Sequence, residues 1–417
     1  MSQTLDHADV VEIPDLSDPA SFGTAVPHDA FAELVRRPGL HWVPTTVATA
    51  NGGFWAVTRY DEIVEIEKDP ATFTSMKGMA YPLTNITGDH PYLDEIMFTD
   101  PPRHNYLRRA AAKGFAPRIV AKFEPWIREI VTEVIDGIAD RAQFDFVEEF
   151  ARTIPAYVIA TVLGSPREDR KYIVDTVTAY FDALMVTEDL EEGEGGAQSV
   201  LPHLEELMRY AEKMQKVKLA EPGDDMFTEL ARVRERGEIN QSEYLQWMHV
   251  MIAAGFETTH TAIGQSMRMY LEDPEIAALT DRAIDEGHTE RLVEEYLRLI
   301  TPPMQMARTA TRDVVISGQQ IRENDVVVMY YVAANRDPAV YSDPDRFDPW
   351  RAEVDSLTFG TGPHRCIGAH LAMLELQILW QELRARGIKL ELDGEPRRGY
   401  SNFINQLTEL PVRRVMS

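Results

Sequence analysis

The sequence predicts a mainly α-helical fold with a minor β portion. Segment 242–271 is long and mostly apolar, which suits a helix at the centre of a protein. Apolar residues recur at helical spacing along much of the chain, whereas β-rich segments are few and short. Hydrophobic residues make up 44% of the 417 residues, enough for a large core. We find no internal repeat and no long low-complexity stretch, and we expect one domain over residues 1–417.

The elements of the first half follow from local patterns. Residues 1–30 are polar with several prolines, so we expect an extended surface segment. Segment 41–58 predicts a hairpin, because β-rich residues flank the turn dipeptide Asn51-Gly52. Segment 78–95 is rich in Gly, Pro, Tyr and Met without a clean period, and predicts a loop. Helices are predicted over segments 61–68, 101–115, 119–142 and 147–162.

The second half is predicted in the same way. Segment 188–196 is acidic and Gly-rich, and predicts a mobile connection between two helices. A turn over 222–225 precedes a helix over 226–236, which Gly237 ends. Further helices are predicted over 202–219, 242–271, 275–283, 289–299 and 369–383. Short strands are predicted over 314–317, 320–321 and 326–330.

The charge balance limits the classes of partner. The net charge is −26, from 42 basic and 68 acidic side chains, which argues against nucleic-acid binding. We attribute the acidic excess to solubility. No uninterrupted apolar run approaches the roughly 20 residues of a membrane helix. The first residues lack the basic and apolar regions of a signal peptide. We therefore expect a cytoplasmic protein without a membrane anchor.

Cys366 is the only cysteine and lies in the glycine-rich segment 359–368. A lone cysteine cannot form an intrachain disulfide or, by itself, a zinc site, but it can be an axial thiolate to iron held by a macrocycle. Gly360 and Gly368 would let the backbone approach a flat ligand. The helix predicted from residue 369 would place its positive end near the sulfur and favour the thiolate. The alternative is a buried free cysteine beside a glycine turn.

A second motif, Ala254 to Thr259, lies on the predicted central helix. Here Glu257 and Thr258 follow Gly255, which costs about 1 kcal/mol relative to Ala in a helix. Thr can bond back to the carbonyl four residues earlier and bend the helix. The resulting pocket could admit dioxygen and water. The alternative is a helix kink with a solvated Glu.

Two further pairs share helix faces. Glu295 and Arg298 are spaced i, i+3, and His104 and Arg108 are spaced i, i+4. On this evidence alone, the first pair is most simply a surface ion pair worth a few tenths of a kcal/mol, and His104 an exposed polar residue.

Segment 359–368 resembles the haem-binding loop of the cytochrome P450 superfamily, and the other motifs occur in the order that this family has. The resemblance extends from the Trp55 region to Val415, and the chain is similar to the soluble bacterial members of the family. It implies the cytochrome P450 fold, with haem b between the long central helix and the helix that follows the cysteine loop. It also implies that Cys366 is the iron ligand.

The resemblance implies roles for the remaining motif residues. Thr258 would support oxygen activation and Glu257 would help to deliver protons. Glu295 and Arg298 would lock to Arg351, with Arg336 as a less favoured third partner. The propionates would be held by His104, Arg108, Arg308 and His364. Further haem contacts would come from Phe359, Gly360, Gly368 and Ala254.

The function implied is that of a haem-thiolate monooxygenase. It would hydroxylate or epoxidise a lipophilic small molecule of terpenoid, steroid or fatty type with one oxygen atom of O2. Electrons would come from a small ferredoxin and an NAD(P)H-dependent ferredoxin reductase. The ferredoxin would dock on Arg109, Lys113, Arg118 and Arg365. The alternatives are an H2O2-using peroxygenase, against which Glu257 and Thr258 argue, and a non-catalytic haem sensor or carrier.

The substrate pocket is the least determined part of the sequence. Its candidates occupy positions that face the haem in the family, and each could equally be ordinary core. They are Tyr81, Leu83, Ile252, Ala253, Met304, Met306, Phe403 and Ile404. Their mixture of apolar side chains and adaptable methionine suits a lipophilic ligand.

Overall fold

A computed structural model describes residues 11–86, 94–185, 195–352 and 355–415. The α-helices are α1 (His28–Arg36), α2 (Tyr60–Glu67), α3 (Arg103–Ala112), α4 (Pro117–Val120), α5 (Glu124–Gly137), α6 (Thr153–Leu163), α7 (Arg170–Met185), α8 (Gly195–Ala220), α9 (Met226–Glu235), α10 (Gln241–Glu272), α11 (Pro274–Asp285), α12 (Thr289–Ile300), α13 (Tyr331–Ala334) and α14 (Ala369–Ala385). The mainly helical fold class is confirmed.

The strands are short and form a minor part of the fold. They are β1 (His41–Pro44), β2 (Gly53–Val57), β3 (Phe73–Thr74), β4 (Gln143–Asp145), β5 (Met306–Ala310), β6 (Val314–Ile316), β7 (Gln319–Ile321), β8 (Val326–Met329), β9 (Leu390–Leu392), β10 (Arg397–Arg398), β11 (Leu407–Glu409) and β12 (Pro411–Arg414). The largest sheet has the order β1-β2-β8-β5-β3, in which β2 and β8 are parallel. Three smaller sheets join β4-β12-β9, β6-β7 and β10-β11.

Helix α10 passes through the centre of the main hydrophobic core. It packs against α6, α8, α12 and α14, and most of its residues are buried. A capping box fixes its start: the Glu243 N–H donates to Asn240 Oδ1 at 2.9 Å, and the Asn240 N–H donates to Glu243 Oε2 at 2.8 Å. The helix runs unbroken to Glu272, so the glycine at position 255 does not interrupt it. The prediction for segment 242–271 is confirmed.

Most predicted elements are confirmed to within a few residues, including the hairpin, in which Trp42 pairs with Trp55. Segment 119–142 is an exception: it divides into α4, a 3-10 turn and α5, which ends at Gly137. The start predicted at Pro202 is also wrong, because α8 begins at Gly195 and passes through that proline. Pro202 has no N–H to donate to the preceding turn, so α8 lacks one main-chain hydrogen bond there but continues as a helix.

The amino-terminal segment is less superficial than its composition suggests. Leu16 and Phe22 are fully buried and pack with Phe31 of α1. The prediction of an extended surface segment is therefore wrong for these residues, because their apolar side chains complete a core beside the largest sheet. Residues 1–10 lie outside the described residues, as do 87–93 of the predicted loop and 188–194 of the predicted connection. The expectation of a single domain stays a prediction.

Within the described ranges, no helix is both long enough and apolar enough to cross a membrane.

Candidate active site

The loop that carries Cys366 is built from two 3-10 turns, Leu357–Phe359 and Gly362–His364. The Cys366 N–H donates to the Phe359 carbonyl at 2.8 Å and closes the loop. Gly362 has a φ of +63°, and a Cβ there would lie 2.5 Å from the carbonyl oxygen of Glu67. Only glycine satisfies both this conformation and this close approach.

Cys366 is exposed and lines a cavity of the protein. Burial by the surrounding protein raises the pKa of the thiol, while the N–H groups of Gly368 and Ala369 and the charges of Arg108 and Arg365 lower it. The expectation that the helix end favours the thiolate is confirmed by the effect of these N–H groups, although burial outweighs them in the net pKa. A coordinated metal would remove the proton outright.

The opposite wall of this cavity is one face of α10. It consists of residues that recur every three or four positions, as one helix face requires. They are Trp247, Val250, Met251, Ala254, Gly255, Thr258, Thr259 and Ala262. Gly255 also brings α10 close to α6, since a Cβ there would lie 3.4 Å from Ile159 Cδ1. The cavity thus lies between α10 and the start of α14.

Thr258 and Glu257 lie on different faces of α10. Thr258 lines the cavity, and its Oγ1 donates to the Ala254 carbonyl at 2.8 Å, as the sequence predicts. Glu257 is buried behind the wall, so the alternative of a solvated Glu is wrong. Its Oε2 lies 3.5 Å from Nδ1 of the buried His260, and its Oε1 has no hydrogen-bond partner among the described residues. The cavity therefore has a hydroxyl in its wall and an acid–imidazole pair behind it.

The four predicted propionate ligands come together at one end of the cavity. Arg108, Arg308, His104 and His364 all line it, and the two imidazole rings lie 4.1 Å apart. Burial, and then the charges of the arginines and His104, lower the pKa of His364 well below its ordinary value. The lowered pKa favours the neutral imidazole, which offers an N–H donor. An anion placed here would relieve the repulsion among these cations.

These features fit a haem group. Cys366 would be the iron ligand, and the cluster of arginines and histidines would hold two propionates. The other predicted haem contacts, Phe359, Gly360, Gly368 and Ala254, also line the cavity. Their roles stay predictions, but the structure brings all of them to one site.

The predicted substrate residues mostly do not reach this cavity. Of the eight, Met306 lines it. Ile252 and Ala253 are on the same helix as the wall but face the core, because they fall between Met251 and Ala254 in the helical repeat.

The other candidates are also absent from the lining of the cavity. Tyr81 packs on Phe54, with ring centroids 4.8 Å apart, and Met304 is fully buried in the same apolar cluster. Leu83 forms an isolated β-bridge with Ala80, and Ile404 forms one with Pro303. Phe403 and Met306 both pack against a small apolar cluster. Seven of the eight candidates thus do not line the cavity, and the role of the eight as substrate contacts stays a prediction. Sequence spacing cannot show which of several apolar segments the fold turns toward the cavity.

A buried ionic network supports the cysteine loop from α12. Arg298 and Glu295 are both fully buried and form two hydrogen bonds of 2.8 Å with each other. Arg351 Nε lies 3.5 Å from Glu295 Oε1, as predicted. Arg336, the less favoured partner, instead pairs with Asp345 at 2.6 Å.

Main-chain acceptors complete this network. Arg298 also donates to the carbonyls of Asn335 and Pro344. Asn335 Oδ1 accepts the Leu357 N–H at 2.7 Å, at the start of the turn that leads to Cys366. The network thus joins α12 to the segment that carries the cysteine.

Several residues of the site were not predicted. A buried carboxylate, Glu67, and the hydroxyl of Tyr331 line the cavity, and no local pattern marks either one. His260 could have been noticed from its i, i+3 spacing to Glu257. The apolar wall could have been found by stepping back along α10 from Ala254 in helical turns.

Comparison with known proteins gives a consistent answer. The chain matches the Cytochrome P450 family over residues 56–383. It is 30% identical over 408 residues to steroid C26-monooxygenase of Mycobacterium bovis, covering 95% of this chain and 92% of that protein. It is 29% identical over 412 residues to linalool 8-monooxygenase of Pseudomonas putida, covering 96% and 99%.

Solved structures show the same likeness. A cytochrome P450 of Mycobacterium marinum in complex with pseudoionone superposes with a TM-score of 0.85 at 27% identity, covering 97% of this chain and all of that one. The predicted cytochrome P450 fold and haem b cofactor are thus confirmed, and the enzyme is a P450 monooxygenase. The chain belongs to the cytochrome P450 family.

Proposed function

We propose that the enzyme hydroxylates or epoxidises a lipophilic small molecule, with terpenoids as the first class to test and steroids and fatty molecules next. The observation that carries this proposal is the wall of α10, where Trp247, Val250 and Met251 precede Thr258 on the face opposite Cys366. An apolar wall with few polar groups suits a ligand that is positioned by shape. Two similar proteins, linalool 8-monooxygenase and steroid C26-monooxygenase, support these classes.

Residues within and behind this wall would have separate roles in delivering protons to the cavity. When bound, haem with a thiolate ligand supplies the cleavage of the O–O bond. Thr258 would hold water at the cavity through its hydroxyl, which can accept a hydrogen bond while it donates to Ala254. Glu257 would supply protons to that water. His260 would then reprotonate Glu257, since its Nδ1 is 3.5 Å from the carboxylate.

Thr258→Ala should keep haem but divert NADH-derived electrons from product to hydrogen peroxide, because the α10 wall loses the Thr258 hydroxyl that would hold water. Glu257→Gln should slow turnover by roughly 10²-fold, the lower end for a positioned proton donor. The assay supplies ferredoxin, reductase and NADH with a panel of terpenoids, steroids and fatty acids, and measures product and peroxide.

The matched control is Thr261→Ala, which removes a buried hydroxyl from another face of α10 and should behave as the native enzyme. Turnover with hydrogen peroxide alone, at the native rate in all variants, would instead establish the peroxygenase alternative. A protein that fails under both conditions would be a sensor or carrier.

The electron donor is proposed to be a small acidic ferredoxin that docks beside the cysteine loop. Arg109, Lys113, Arg118 and Arg365 are all exposed. Arg108 ties α3 to this loop by donating to the Arg365 carbonyl at 2.6 Å. Complementary charge would steer the encounter on a protein whose net charge is −26.

We call the four residues Arg109, Lys113, Arg118 and Arg365 the basic face. A groove of about 480 Å³ adjoins it. Arg365 and residues 117 and 120–121 line one part of the groove, and Glu290 and Glu294 also line it. An acidic partner is therefore expected to approach over α3 and α4 and away from these acids.

Arg109→Glu should lower the rate of reduction by a two-iron ferredoxin and weaken its dependence on salt, without changing substrate affinity. The reason is that exposed charges act over roughly 8–10 Å at 0.1–0.15 M salt. Stopped-flow reduction across a salt series measures both effects. Arg397→Glu makes the same charge change outside the basic face and should be neutral. Equal rates for both variants would show that the ferredoxin docks elsewhere.

A further inference from the structure

A buried carboxylate, Glu67, lies in the wall of the cofactor cavity, and the proton and electron routes above do not use it. Glu67 is the last residue of α2, and its side chain is 2% exposed. Cys366 and Arg308 are in the same wall. The fold thus places a protein carboxylate beside a site that must also accommodate the two carboxylates of haem.

Glu67 connects two parts of this wall. Tyr331 Oη donates to its Oε1, and the Thr361 N–H in the cysteine loop donates to its Oε2 at 2.8 Å. Arg308 Nη2 lies 3.8 Å from Oε1. The carboxylate therefore contacts both the loop that carries the iron ligand and an arginine expected to hold a propionate.

The environment of this carboxylate makes its charge consequential. Burial is the largest influence and raises the pKa of Glu67 above its ordinary value, while the charge of Arg308 and hydrogen bonds from Tyr331 and Thr361 oppose that rise and favour the carboxylate. Burial and the neighbouring carboxylate raise the pKa of Tyr331, so its hydroxyl stays a neutral donor. In a buried ion pair, removing one charge leaves the other uncompensated. The Arg308 guanidinium, which also donates to the Ala307 carbonyl at 2.7 Å, thus has the Glu67 carboxylate as a buried counter-charge.

We propose that Glu67 is a positioning residue that holds Arg308 toward the haem propionates and, by its negative charge, lowers the reduction potential of the haem iron. Ferric iron carries one more positive charge than ferrous iron, so a fixed anion nearby favours the ferric state. Net charge around an iron cofactor is one of the means by which a protein sets its potential. The charges that oppose this effect are those of Arg308 and Arg108.

The test is a redox titration of the haem-loaded Glu67→Gln variant. Glutamine has nearly the same size and keeps an acceptor for the Thr361 N–H, so the thiolate-type spectrum should be retained. The reduction potential should shift to more positive values. The matched control is Glu62→Gln, on the same helix: Glu62 is also buried, with its side chain 7% exposed, but it pairs with Arg59 outside the cavity wall. That control should keep the native potential.

A native potential in Glu67→Gln would overturn the proposal. If glutamine prevents haem uptake, the Glu67→Asp variant decides, because aspartate keeps the negative charge. Haem loading with a near-native potential in Glu67→Asp would support the proposal. Failure of both variants to load haem would overturn it and leave Glu67 a steric support. Tyr331→Phe separates support of the loop from charge. A positive shift there as large as in Glu67→Gln, with haem lost equally from both, would attribute the effect to loop structure and contradict the proposal.

Discussion

Cys366→Ala is expected to abolish monooxygenase turnover and the thiolate-type spectrum of the reduced carbon monoxide complex. The thiol is the group in the described cavity that can donate a soft anionic ligand to iron, and thiolate donation favours O–O cleavage. Haem binding should weaken rather than vanish, because His104, Arg108 and Arg308 remain to hold the propionates. Absorption spectra of ferric and ferrous forms, with haem content, measure these effects.

The result needs a demonstration that the variant is folded. Far-ultraviolet circular dichroism should match the native protein, since Cys366 contributes a main-chain hydrogen bond that alanine preserves. A spectrum typical of histidine ligation in the native, folded protein would contradict the assignment of Cys366 as ligand.

Arg298→Ala is expected to have the largest effect on stability, a loss of about 3–5 kcal/mol in the free energy of unfolding. Both members of the Arg298–Glu295 pair are fully buried, so the substitution leaves the Glu295 carboxylate without its main partner in a low-dielectric interior. It also frees the carbonyls of Asn335 and Pro344. Denaturant unfolding and haem retention measure the loss.

Two controls make this prediction specific. Arg282→Ala breaks an exposed i, i+4 pair with Glu286 and should change stability by less than about 1 kcal/mol. Replacing both Arg298 and Glu295 with apolar residues of similar volume should recover part of the loss, because no unpaired charge remains. Equal effects of the buried and exposed arginine substitutions would show that the network contributes little.

Local sequence patterns predicted the parts of the site that local geometry determines. The glycines around Cys366, the bond from Thr258 to Ala254 and the i, i+3 pair of Glu295 with Arg298 all depend on residues within one turn or one loop. These features were readable because their contacts lie a few positions apart along the chain.

Other parts depend on contacts between distant segments. Ile252 was predicted to line the pocket, whereas Met251 lines it. The sequence could not distinguish them, because the rotation of a buried helix about its axis is set by its neighbours on every side. Glu67 meets Thr361 across 294 positions, and no local signal marks that meeting. Segment 119–142 shows helical periodicity throughout, yet the chain turns between α4 and α5 to follow the surface of α14.

The parallel pairing of β2 with β8 has a consequence for synthesis on the ribosome. Trp55, in β2, donates to Asp325, just ahead of β8, across 270 positions of sequence. At roughly 5–20 residues per second, β8 emerges on the order of 10–60 s after the hairpin. Through that interval the nascent hairpin presents an unpaired apolar edge, the kind of surface on which chains aggregate. Chaperone capture of the nascent chain is therefore expected to protect this edge until β8 has emerged from the ribosome.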